Sequence, residues 1–142
     1  MESVFYPSSI IFENSEIEIF FEQVKKYNKT EKCIVIEGNR AGFLSLANLI
    51  NVYNVYLFEC IVLTEFQFVR STVTFDICEN DSIVNDSGKV FSRSKQHYRW
   101  ELSEKNLFVA TGLIHSLGYA NSEAHFDDDL SNEDISVYCV VK

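Results

Sequence analysis

The sequence predicts an α+β fold in which two or three helices pack on an antiparallel sheet. Three observations lead there. Segments such as 69–77 and 97–102 alternate apolar with polar residues, the period of a half-buried strand. Segments such as 41–53 carry apolar residues at three- and four-residue spacing, the period of a helix. A shift of 64 residues also sets Phe43, Leu44, Leu49 and Ile50 on Leu107, Phe108, Leu113 and Ile114, each group behind a strand ending at Glu37 or Glu101. The chain then reads as two pseudo-repeated strand–helix–strand–strand units.

The elements follow in order. A short extended segment is expected around Ile10 to Phe12. Residues 14–28 read as a helix: Ser15 and Glu18 have capping-box spacing, and Ile17, Phe20, Phe21, Val24 and Tyr27 form an apolar stripe. Residues 32–39 are a strand ending in a Gly-Asn turn. Residues 41–53 form a helix apolar all round except for a narrow stripe of Ser45, Asn48 and Asn51, so it should be packed rather than exposed. In the strand at 69–77, Val69, Val73, Phe75 and Ile77 alternate with Arg70, Thr72, Thr74 and Asp76. Phe66 and Phe68 fall on the opposite parity, which predicts a bulge or turn near Phe68. A small hairpin is expected around Asn85 to Gly88. The strand at 97–102 turns Tyr98, Trp100 and Leu102 inward and His97, Arg99 and Glu101 outward. A third helix follows, with Ser103 as N-cap and Gly118 as C′ residue. A strand at 122–126, an acidic turn at 127–134 and a last strand at 135–141 complete the chain.

At 142 residues, 46% of them hydrophobic and including twelve Phe and seven Tyr, the chain reads as one domain spanning 1–142 with ample apolar area for a core. Five Gly and one Pro argue against low complexity. The formal charge of −9, from 21 acidic and 12 basic residues, opposes binding to nucleic acid and anionic membranes and favours basic partners. Its plain alternative is solubility. The apolar runs are too short to span a bilayer, and the start lacks the pattern of a signal peptide. Cys33, Cys60, Cys78 and Cys139 form no CxxC pair and sit in strand-like runs, so reduced thiols in a cytoplasm are expected.

Three groups of residues invite a chemical reading. The densest charge feature is the acidic turn, with Asp127, Asp128, Asp129, Glu133 and Asp134 following Glu123. Such carboxylates clamp the cations of a basic partner, the plain alternative being a solvated turn. Glu16, Glu18 and Glu22 are a second acidic group. His125, Asp127 and Asp129 echo a metal site, but metal ligation needs three or four convergent ligands, and no metal or other cofactor is expected. His97, Arg99 and Glu101 share one strand face, as the base, clamp and acid of a metal-independent nuclease would. The plain alternative is a salt-bridged strand surface. GxSxG, GxxxxGK[ST] and GxGxxG are absent.

Through "IVIEGNRAGFLSLANLI" and the closing "AHFDDDLSNEDISVYCVV" the chain resembles small immunity proteins of bacterial polymorphic-toxin and contact-dependent inhibition systems. The resemblance covers about a third of the chain, with a long insert between its two parts. It implies a cytoplasmic inhibitor that binds a cognate toxin, a basic nuclease for choice, by covering its active site or an adjacent surface. On this reading the acidic turn carries the interface, and Glu16, Glu18 and Glu22 assist. Two rival expectations are the nuclease built on His97, Arg99 and Glu101, and a structural or regulatory homodimer pairing through a sheet edge.

Overall fold

A computed structural model describes residues 10–26, 29–55, 60–127 and 134–142. Its element order is β1 (Ile17–Lys26), β2 (Lys29–Gly38), α1 (Arg40–Val55), β3 (Cys60–Val62), a 3-10 turn (Leu63–Glu65), β4 (Val69–Ser71), β5 (Thr74–Glu79), β6 (Lys89–Ser94), β7 (His97–Leu102), α2 (Glu104–Ser116), β8 (Glu123–Phe126) and β9 (Ile135–Val141). The fold is α+β as expected, but the strands form two mixed sheets in place of an antiparallel one. Their orders are β4-β1-β2-β9-β8 and β3-β5-β7-β6.

Where a helix is expected over 14–28, residues Ile17–Lys26 form a strand. Ile17, Phe20 and Phe21 fit helical spacing, but Ile17, Ile19 and Phe21 also alternate with Glu18, Phe20 and Glu22. Tertiary context decides between the two periods: β1 pairs with β2 over ten residues, from Ile17↔Gly38 to Lys26↔Lys29. This ladder buries Ile17 and Ile19 and leaves Glu18 and Glu22 exposed. Ser15 caps no helix; its hydroxyl donates to the Phe12 carbonyl and lies 2.7 Å from the Ser45 hydroxyl.

Both helices begin as their sequences dictate. The Asn39 carboxamide oxygen accepts from the Gly42 amide, capping α1, and the Ser103 hydroxyl accepts from the Asn106 amide, capping α2. Gly38 and Gly42 are required by contact. A Cβ at either would lie 2.1 or 2.6 Å from the Glu16 carbonyl oxygen, which crosses this strand–helix junction. Two residues of the polar stripe of α1 are used inside the protein, while Asn51 is exposed. Ser45 accepts from the Phe12 amide, and the Asn48 amide donates to the Ile10 carbonyl, so the segment before β1 is laced to the helix. Gly118 serves close approach, since a Cβ there would lie 2.3 Å from the Leu44 side chain.

The internal echo is visible in the topology. β2 ends and α1 begins 64 residues before β7 ends and α2 begins. Setting β4 aside, the halves are β1-β2-α1-β3-β5 and β6-β7-α2-β8-β9. Each sheet joins the hairpin of one half to the last two strands of the other. β1·β2 matches β6·β7, both antiparallel. β2·β9 matches β7·β5, both parallel. β9·β8 matches β5·β3, both antiparallel. The halves are interlocked, and one apolar cluster draws residues from both sheets and both helices.

Three local expectations change. The strand expected over 69–77 breaks at Thr72 and Val73, so that β4 joins the first sheet and β5 the second, after a turn at 66–68. Asn85 and Gly88 do form a turn, with Gly88 at φ 69°, but the hairpin is β6–β7, reversing at Lys95 and Gln96. Cys60 and Cys78, expected as free thiols, are disulfide-bonded, because antiparallel β3 and β5 set them directly opposite one another. Cys33 and Cys139 are free. The bond joins residues 18 apart, so reduction should lower unfolding free energy by about 3 kcal/mol. Denaturant midpoints with and without dithiothreitol measure this, and coincident midpoints would refute it.

Candidate partner-binding face

Alternation along the strands gives the first sheet two unlike faces. Ile17, Ile19, Ile34, Ile36, Phe126, Val137 and Cys139 point into the core. On the other face the register lines residues up in rows across the strands. The middle row is Phe20, Val35, Tyr138 and His125. On one side of it run Arg70, Glu18, Glu37, Val140 and Glu123. On the other side run Glu22, Cys33 and Ser136. An aromatic and aliphatic band is thus bordered by carboxylates. Val35 is buried beneath it, Phe20 and Tyr138 are half-buried, and Glu18, Glu22, Glu31, Glu123 and Asp127 are exposed.

Carboxylates outnumber cations on this face, whose edge carries Arg70 and Lys142. The Cys33 thiol is pushed up to about 11, first by burial and then by the surrounding charges of Glu22, Asp127 and Glu31. It therefore stays a neutral, unreactive thiol at physiological pH. The Tyr138 phenol is raised, first by desolvation and then by its hydrogen bond to Glu123 Oε2 at 3.0 Å. His125 packs its ring against Tyr138, with centroids 4.3 Å apart, and its Nε2 lies 3.5 Å from Glu123 Oε1. Glu18 stands directly opposite Glu37 in the ladder. Like charges in that position are destabilising; Lys142 lies 3.4 Å from Glu37, and Arg70 stands opposite Glu18 on its other side. At this edge a cleft of about 470 Å³ opens between Glu16, Glu18, Glu37, Phe68, Arg70 and Lys142.

Of the residues singled out from sequence, Glu18, Glu22 and Asp127 meet on this face, and Glu16 lines the cleft at its border. Asp134, half-buried, leads into β9, whose first pair is Lys32↔Ile135. Asp128, Asp129 and Glu133 lie outside the described residues. Glu31 and Glu37 were missed. Alternation about Ile34 and Ile36 would have placed both outward.

The rival constellation is held by structural partners. Asp76, expected on the solvated side of its strand, is buried at 2% exposure. It accepts from Arg99 Nε at 3.0 Å and lies 2.6 Å from His97 Nε2. Parallel pairing of β5 with β7 brings these residues side by side. The Glu101 carboxylate accepts from the Asn80 amide at 2.6 Å. Base, clamp and acid are thereby engaged in fixing β5, β7 and the turn after β5. Among the described residues no three His, Cys, Asp or Glu side chains are placed to hold a metal ion. Among them, too, no helix is long and apolar enough to cross a membrane. No protein-family model, curated protein or solved structure matches the chain.

Proposed function

We propose that this chain is an inhibitory binding protein of the immunity class, docking the outer face of its first sheet on a basic surface of a cognate bacterial toxin domain. What supports the reading is the band of Phe20, Val35 and Tyr138 bordered by Glu18, Glu22, Glu31, Glu123 and Asp127. A polar, charged rim around an aromatic centre is the anatomy of a specific protein interface. Five strands at ~4.8 Å spacing, seven to ten residues long on the central strands, present a surface comparable with the ~800 Å² per partner of a standard interface. The rim carboxylates raise the association rate with a basic partner, while the central aromatics set its lifetime.

The toxin's nuclease character and the cytoplasmic site of action belong to this proposal. Because Cys60–Cys78 would then face a reducing compartment, the fold has to tolerate its loss. Co-expression with the toxin domain encoded beside the gene is the test. Growth should be restored by the wild-type chain and lost with the triple variant Glu18→Lys, Glu22→Lys, Glu31→Lys. Failure of the wild type to restore growth, or full rescue by the triple variant, rejects the reading.

A further inference from the structure

We infer that α2 carries a second, separate docking surface, and that its occupant is a second copy of this chain. The helix buries Leu107, Ala110, Thr111 and Ile114 against the protein. Its opposite side exposes Phe108 at 72%, Val109 at 52% and Leu113 at 41%, and beside them an added Cβ at Gly112 would meet open space. Large exposed apolar side chains grouped on one helix face mark an interaction site. This one is built of a projection and a recess.

Charge identifies the occupant. Two chains of net charge −9 repel, and the carboxylates crowd the first sheet. Past its first turn, α2 carries neither Asp, Glu, Lys nor Arg; Glu104 and Lys105 are its only such residues. It is therefore a place where two like-charged copies can meet with little repulsion, and a poor match for a basic toxin. The sequence is also self-complementary about a two-fold axis between positions 110 and 111. In an antiparallel pair Phe108 meets Leu113 of the second copy, and Val109 enters the recess over its Gly112. Lys105 then lies beside the carboxyl end of the other helix, where a cation is favoured. A two-fold contact of this kind is closed and self-limiting.

The area predicts the strength. A 13-residue helix is about 20 Å long, and one face of it buries roughly 400 Å² per copy, half of a standard interface. Association should therefore be weak and reversible.

Sedimentation equilibrium of the full chain from about 10 µM to about 1 mM tests this. The expected mass climbs from 16.4 kDa toward that of a dimer, and the trend persists at about 1 M salt, where binding through the acidic face would be screened. Phe108→Glu and Gly112→Trp change exposed positions and should keep the wild-type circular dichroism spectrum. Each should weaken association at least about tenfold. A mass constant over the whole series, or self-association unchanged in either folded variant, overturns the inference. Neither result bears on the acidic face.

Discussion

Replacing Trp100 by alanine is expected to remove about 3–5 kcal/mol of folding stability. Trp100 is 1% exposed, and its ring lies 4.9 Å from Phe126 and 6.4 Å from Phe75. Phe126 belongs to the first sheet and Phe75 to the second, so the indole ties the two layers together. Its Nε1 donates to the Ser87 carbonyl at 2.8 Å, fastening the turn before β6. Domains of this size are stable by only about 5–15 kcal/mol, which would leave the variant marginal. Trp100→Phe keeps part of the packing but orphans the Ser87 carbonyl, and should cost less. Urea midpoints for both variants measure this; a loss below about 1 kcal/mol for the alanine variant would show that the indole is not the tie between layers.

The second large effect concerns association. Reversing Glu18, Glu22 and Glu31 to lysine exchanges three negative charges for three positive ones on one face. On the proposed function, the association rate with a cognate basic domain should fall by about 10- to 1,000-fold at low salt, with dissociation changed far less. The rate should also lose its steep decrease with ionic strength. Tyr138→Ala should behave in the opposite way, leaving association nearly unchanged and shortening the lifetime of the complex. Stopped-flow rates over a salt series separate the two patterns. An association rate equal to wild type in the triple variant would remove the acidic rim from the interface.

Much of the secondary structure was legible because local periodicity and packing agree. β2, α1, β7 and α2 lie where Ile34 and Ile36, the Phe43 to Ile50 stripe, Trp100 and Leu102, and the Ser103 cap place them. Where two periods coexist, local reading fails, as at Ile17 to Phe21, and ten pairs with β2 settle the matter. Features that depend on register could not be read. Cys60 meets Cys78, and Asp76 meets Arg99, only because particular strands lie side by side. The swap of strand pairs between halves leaves no trace in either period.

Glu18 and Glu22, grouped on an expected helix, share one face of a strand as well, for a simple geometric reason. Positions 18 and 22 share a face in a helix, where they are four apart, and in a strand, where they are an even number apart. Only the strand adds Phe20 between them and brings Glu37 alongside. The apolar centre of the face was therefore invisible while 14–28 read as a helix.

The exchange of terminal strands has a consequence for how the molecule can fail. Detaching either half breaks the parallel β2·β9 and β5·β7 pairings and takes strands from both sheets at once, so no complete sheet is left behind to act as a partly folded state. Opening should be all-or-none, and a cut or truncation near either end would be felt across the entire molecule. Such mutual dependence favours copies that are either fully folded or quickly removed.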